Sequence, residues 1–426
     1  MSLPPPNTIG LPFASWRPGQ ADAIRRALTA PTLYVAIVAP TGSGKSAMAC
    51  AIALLADMAS ALLTATKGLQ DQYQALKVAP DMRGAHNYAC VAARDRFAHD
   101  FPDRQHVGCD EGPCMVGAHC ELRRATGCHY FDALAEAASA AIVTTNYAYW
   151  LSGAPDRLGS RPLLILDEAH SAPEAVLDAR TLDIFRSAVG SFPTERAQAQ
   201  TWRTWAEERL PEATARAEHG SIRERLRYKR LVELLTVVAS IDEENWAWEW
   251  PTVNSARIAP INAARWTPGL FRGAKKAVLL SATLTERTFM ALGIRPDQIT
   301  WITLPSPFPK RQRPVIVFKP AGRVDFRITE EGEQQWLDAI DALLGARHDR
   351  KGLVHTVSYG RQALLVARSR HGERMIVPRR AADLAGALDE FRHAGPGAVL
   401  VSPQSSAART MRPAIWMSAC SVRSSR

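Results

Sequence analysis

The sequence predicts an α/β fold in which a parallel sheet is covered by helices, and three stretches support it. The apolar run Leu33–Val38 leads into Ala39-Pro40-Thr41-Gly42-Ser43-Gly44-Lys45-Ser46 and then into the small-residue helix Ala47–Ala59. A second run, Leu163–Leu166, ends in Asp167-Glu168-Ala169-His170. A third, Ala277–Leu280, ends in Ser281-Ala282-Thr283. Short continuous apolar runs alternating with helical patterns suit strands buried on both faces. Sheets of this kind hold their ligands at the carboxyl ends of the strands, where these polar tripeptides and tetrapeptides fall.

The first stretch is a phosphate cradle. A glycine-rich turn between a buried strand and a helix start points backbone N–H groups into one concavity, where a triphosphate replaces water. Thr41, Gly42, Ser43 and Gly44 form the turn, Lys45 reaches the β/γ-phosphates, and the Ser46 hydroxyl binds Mg²⁺. A flexible Gly/Ser loop explains neither the strand before nor the Lys-Ser pair after. The Asp167-Glu168 pair alone reads as a solvated helix start, but beside a cradle it reads as a hydrolytic partner. Asp167 would complete the Mg²⁺ shell and Glu168 would orient and deprotonate the attacking water, which makes the chain a Mg²⁺-ATP hydrolase with Lys45, Asp167 and Glu168 as its catalytic set.

The order Gly-Lys-Ser, Asp-Glu-Ala-His, Ser-Ala-Thr resembles the superfamily 2 helicases, and further matches sharpen it. Arg17-Pro-Gly-Gln20 precedes the first strand, Thr64-Ala-Thr66-Lys67 follows the second, Thr145-Asn146-Tyr147 leads into the third, and Leu304-Pro-Ser306-Pro-Phe308 follows Ser-Ala-Thr. The set resembles the XPD/DinG-type iron–sulfur DNA helicases from about Pro12 to about Pro403. That resemblance implies a RecA-like P-loop motor domain with an inserted cysteine-rich iron–sulfur domain and a helical arch domain, plus a second RecA-like domain. It also implies ATP between the motor domains, with Gln20 contacting adenine, and coupling through Ser281, Ala282 and Thr283. Movement would be 5′ to 3′ on single-stranded or forked DNA, by a monomer. Thr66 and Lys67 are expected DNA-backbone contacts, since a basic residue in a loop above the sheet can meet phosphates; a surface lysine without function is the competing reading.

Of seven cysteines, five fall between positions 90 and 128, namely Cys90, Cys109, Cys114, Cys120 and Cys128, with only Cys50 and Cys420 elsewhere. Disulfides do not suit a nucleotide hydrolase expected in the reducing cytoplasm, with no signal peptide ahead of Pro12. Metal binding is the better reading. The glycine-rich surround (Gly108, Gly112, Gly117, Gly127) suits a four-cysteine iron–sulfur cluster or a Cys₄ zinc site, and spacing does not separate the two. The resemblance implies a [4Fe–4S] cluster. The family's last ligand leads into an aromatic pair, which Cys128-His129-Tyr130-Phe131 approximates, so the implied ligands are Cys90, Cys114, Cys120 and Cys128. Cys109 is then spare, although the spacing Cys109, Cys114, Cys120 also suits a family member. His106, His119 and His129 read as solvated loop histidines, and Cys50 as a small core residue.

Length and composition agree: 426 residues, 46% hydrophobic, hold two to four domains. No apolar run approaches the ~18 residues of a membrane span, so a soluble protein is expected. The net charge of +10 suits a polyanionic partner, although Arg409, Arg412, Arg423 and Arg426 in the tail supply four of those charges. The first motor domain is expected over 12–84, 129–174 and 266–305, the iron–sulfur domain over 85–128, and the arch over 175–265. In the arch, Leu231, Leu234, Leu235 and Val238 follow helical spacing. Its basic run Arg223–Arg230 reads as a solvated face, and Trp246, Trp248 and Trp250 as one packed face of a strand rather than a base-stacking platform. A partial second motor domain is expected over 306–403, with strands at Val315–Phe318, Leu353–Thr356 and Ala398–Val401, and a disordered tail over 404–426. The resembled family carries a Gln-x-x-Gly-Arg-x-x-Arg segment that does not follow Pro403 here, so the resemblance implies ATP binding with little DNA-stimulated hydrolysis, because such arginines are worth roughly 10³–10⁵ in rate. The rival function is a nucleotide- and single-stranded-DNA-binding protein without coupled translocation.

Overall fold

A computed structural model describes residues 3–93, 107–124, 127–194, 198–309, 328–356, 358–380, 383–403 and, as backbone, 415–418. The chain divides into two compact units, Met1–Pro307 and Phe308–Arg426.

In the first unit, β1 (Tyr34–Val38), β2 (Ser60–Thr64), β3 (Ile142–Asn146) and β4 (Leu163–Asp167) precede an insertion that carries β5 (Leu182–Phe185), β6 (Trp246–Thr252) and β7 (Ser255–Pro260). The chain then returns through β8 (Lys276–Ser281) and β9 (Ile299–Thr303). The main sheet has the order β3-β2-β4-β8-β1-β9 and every pair in it is parallel. Every residue of β2 and β4 is buried, which explains why these strands read as continuous apolar runs rather than as alternations. Register fixes the function-bearing ends: Val38 pairs with Ser281 and Asp167 with Leu280. The phosphate loop, the Asp-Glu pair and Ser-Ala-Thr therefore leave one edge of the sheet side by side.

Helices α1 (Gln20–Thr29) and α2 (Lys45–Leu55) cover one face, packing Ile24, Met48 and Ile52 on Ile37, Leu62, Ile165 and Val278. α2 stops four residues short of the expected Ala59, with Ala56 extended, because the chain must turn before β2 begins at Ser60. Helix α3 (Lys67–Gln74) follows β2, and α4 (His129–Ser139) precedes β3. On the opposite face Leu63, Val143, Leu164 and Leu279 share a core with Trp150, Phe289 and the cysteines at 90, 109 and 128.

The insertion expected to be a helical arch is mixed. Its long helices α5 (Ala199–His219) and α6 (Ile222–Val238) pack Trp202, Trp205, Leu235 and Val238 against an antiparallel sheet of order β5-β7-β6. A capping box of Ser221 and Glu224 starts α6. The tryptophan alternation belongs to β6, with Trp246 buried and Trp248 and Trp250 half-buried against the same core. The basic run is not simply a solvated face either. Arg225 donates to the Val116 carbonyl, Lys229 to the Met115 carbonyl at 2.8 Å, and Arg230 to Asp110 at 2.8 Å, so α6 is tied to the turn that carries Cys114.

The second unit holds β10 (Gly352–His355), β11 (Met375–Ile376), β12 (Val399–Ser402) and β13 (Ile415–Ser418), parallel and in the order β11-β12-β10-β13. Helices α7 (Glu330–Gly345) and α8 (Tyr359–Arg368) pack Trp336, Leu337 and Leu365 on Val354 and Val399, and α9 (Leu384–His393) packs Leu388 and Phe391 on Leu353 and Leu400. The expected strand Val315–Phe318 lies outside the described residues, as do Cys420 and the tail arginines. Ile415–Ser418, expected within a disordered tail, instead pairs along β10. Among the described residues no helix is long and apolar enough to cross a membrane.

Candidate nucleotide site and cysteine cluster

The loop between β1 and α2 takes a shape that only glycine adopts freely at two positions, Gly42 at φ 82° and Gly44 at φ 84°. It is braced from behind. Gln20, 4% exposed, donates from Nε2 to the Ser43 carbonyl at 2.7 Å, and its Oε1 accepts the Arg17 N–H at 2.8 Å. Arg17 also donates to the Gly42 carbonyl. Gln20 therefore holds the loop, with both ends of its amide committed to the chain, rather than reaching outward as the expected adenine contact does. Inside the loop the Ser43 hydroxyl is buried and has no partner among the described residues, and a buried hydroxyl left open in an N–H-lined concavity fits a phosphate oxygen.

Lys45 and Glu168 face each other across the cradle, Nζ to Oε1 at 3.7 Å, both nearly buried. Glu168 sits at φ 50°, a conformation costing on the order of 1–3 kcal/mol for a residue of this kind and concentrated at functional sites. Its other oxygen approaches the Ser281 hydroxyl at 3.4 Å, and His170 Nδ1 lies 2.8 Å from that hydroxyl. Ser281 in turn accepts the Thr283 N–H at 3.2 Å. Ser-Ala-Thr thus touches the acidic motif directly, and Ala282 lies between the two hydroxyl-bearing residues.

Asp167 is 3% exposed. Burial first, then the neighbouring Glu168 charge, raise its carboxyl above the usual range, while Lys45 opposes them. Two phenols that sequence reasoning missed surround it. The Tyr73 hydroxyl donates to Asp167 Oδ2 at 3.0 Å and the Tyr147 hydroxyl donates to the Asp167 carbonyl at 3.0 Å. Tyr73 falls one turn after Leu69 on the buried stripe of α3, and a sequence reading sees only a core aromatic there. Cys50, beneath the same carboxylate, is pushed up to about 12 by burial and by Asp167, in keeping with a core thiol. The oxygen donors Ser46 and Asp167 fit a hard cation such as Mg²⁺.

Thr66 and Lys67, the expected DNA contacts, are exposed but locally engaged. Thr66 caps α3 by accepting the Leu69 N–H at 3.3 Å, and Lys67 Nζ donates to Asn87 Oδ1 at 2.6 Å.

Several of the clustered cysteines lie close to one another. The Cys109 sulfur lies within hydrogen-bonding reach of both Cys90 and Cys128, and a Cβ placed on Gly112 would stand 3.0 Å from the Cys90 sulfur and 3.6 Å from that of Cys114. These four are buried; Cys120 is half-exposed. Contact with Cys109 holds Cys90 below the usual thiol range, and burial pushes Cys114 up to about 11. The arrangement is that of free thiols in mutual contact: among the described residues no group of three or more His, Cys, Asp or Glu side chains is set to hold a metal ion. His119 and His129 are exposed, and His106 lies outside the described residues.

No protein-family model matches the chain, and no curated protein matches it. Solved structures do. An XPD helicase is similar at 11% identity over 92% of this chain and 80% of that chain, with a TM-score of 0.61. The S. tokodaii Xpd4 structure is similar at 12% identity over 91% and 80%, with a TM-score of 0.54. The parallel sheet and this likeness over nine-tenths of the chain agree: the fold is that seen in the XPD helicase structures.

Proposed function

We propose that the chain is an ATP-dependent DNA helicase that couples Mg²⁺-ATP hydrolysis to 5′-to-3′ movement on single-stranded or forked DNA. The observation that carries the reading is the set Ser43, Lys45, Glu168 and Ser281 at one sheet edge, with an unpartnered buried hydroxyl in the cradle. Lys45 neutralises phosphate charge, Ser46 and Asp167 hold Mg²⁺, Glu168 takes the water proton, and Ser281 reports the state of Glu168 to the end of β8. Bound Mg²⁺ would supply charge neutralisation on the β- and γ-phosphates. Thr66 and Lys67 remain the proposed DNA-backbone contacts; Lys67 would exchange Asn87 for a phosphate.

Lys45→Ala tests the reading. The parent is expected to bind a fluorescent Mg²⁺-ATP analogue and the variant to bind at least about tenfold more weakly, since a charge-assisted contact worth about 1.4 kcal/mol or more is lost. Equal binding by both proteins contradicts it. Hydrolysis and strand separation are then assayed with and without single-stranded DNA, and nucleotide and DNA binding without either activity supports the rival binding-protein reading.

We also propose that the cysteine cluster holds a [4Fe–4S] group, with Cys90, Cys109, Cys114 and Cys128 as ligands in place of the set containing Cys120. Five soft thiol donors within one loop-rich segment support it, and the burial of Cys109 beside a half-exposed Cys120 favours this set. Anaerobically purified protein is expected to be brown; Cys109→Ser should lose colour and iron, and Cys120→Ser should retain both. Colourless protein with one zinc and no iron contradicts the cluster, and the reverse behaviour of the two variants restores Cys120 to the set.

A further inference from the structure

The phosphate-loop and acidic motifs leave one group at the site unexplained, the Tyr73 phenol. It is 2% exposed and its hydroxyl donates to Asp167 Oδ2 at 3.0 Å. The remaining carboxylate oxygen, Oδ1, accepts the Glu168 N–H at 2.9 Å. One buried phenol from α3 therefore touches the β4 carboxylate that the site offers to a divalent cation.

We propose that Tyr73 is a positioning residue for the nucleotide's Mg²⁺, holding the Asp167 carboxylate in one arrangement that leaves oxygen lone pairs free for the cation. This rests on the Mg²⁺-ATP reading above. A phenol carries one proton and can accept another. Donating its own proton to Oδ2, while the main chain holds Oδ1, fixes the plane of the carboxylate. Without the phenol oxygen the Asp167 carboxylate keeps a single anchor.

Tyr73→Phe removes the oxygen and keeps the ring that packs in the core beside Ile52 and Ile165. Partners of metal ligands typically change metal affinity 10–100-fold when lost. The test uses the full chain and a fluorescent ADP analogue titrated with MgCl₂, with parent and variant compared below the melting temperature of the less stable protein. The Mg²⁺ concentration for half-maximal binding is expected to rise about tenfold or more in Tyr73→Phe, with binding of the same analogue in EDTA unchanged. Superimposable Mg²⁺ curves overturn the assignment. An equal loss with and without Mg²⁺ overturns it too, because that is the behaviour of a purely structural ring. A parent that binds no Mg²⁺-nucleotide overturns the ATP reading, and this assignment with it.

Discussion

Glu168→Gln is expected to bind Mg²⁺-ATP as the parent does and to lose about 10²-fold or more of whatever turnover the parent shows. The carboxamide keeps the size of the side chain, so the contacts with Lys45 and the Ser281 hydroxyl can survive as hydrogen bonds. What it cannot do is accept a proton from water. The backbone at φ 50° aims this side chain into the cleft, and glutamine inherits that aim, so the variant separates chemistry from geometry. Removing one negative charge beside Lys45 also leaves the ammonium free for phosphate, and nucleotide affinity should stay level or rise. The measurement is phosphate release under saturating ATP, paired with analogue binding. Turnover equal to that of the parent removes Glu168 from the role of base.

Much of this site was legible because its residues are set by the backbone. The strands β1, β4 and β8 are buried on both faces, so they read as unbroken apolar runs, and each functional segment follows directly at the carboxyl end. Adjacency of β4, β8 and β1 in the sheet then brings the segments together. Less legible was whatever depends on side chains meeting across separate elements. Tyr73 looks like a core position of α3, and its contact with the site appears only once the hydroxyl is seen against Asp167. Gln20 has the right position beside the nucleotide loop, but periodicity cannot say that its amide turns inward to Ser43. Cys109 and Cys120 are equivalent in composition and differ in burial, a tertiary property. The arch expected to be helical contains a three-stranded sheet, because the tryptophan alternation is a local signal while the partner strands β5 and β7 lack a comparable one. Helical runs such as Leu231–Val238 were clear because an amphipathic period needs no distant partner.

Gly44→Ala is expected to weaken Mg²⁺-nucleotide binding more than tenfold, about 1.4 kcal/mol or more, while leaving the sheet intact. Two effects add. Gly44 has φ 84°, in the left-handed region where a Cβ costs roughly 1–2 kcal/mol. The added methyl would also collide with the Gln20 amide nitrogen. A glutamine side chain usually yields, but this one is buried and pinned by Ser43 on one side and Arg17 on the other. Either the brace breaks or the peptide between Ser43 and Gly44 rotates, and rotation turns N–H groups out of the cradle just ahead of Lys45. The two contributions separate in the double variant Gln20→Ala/Gly44→Ala, which removes the collision and keeps the unfavourable φ. It should bind nucleotide more tightly than Gly44→Ala alone and more weakly than Gln20→Ala alone. If Gly44→Ala binds like the parent, the loop tolerates a side chain at its tightest point, and the cradle geometry described for residues 41–44 cannot be the one that meets phosphate.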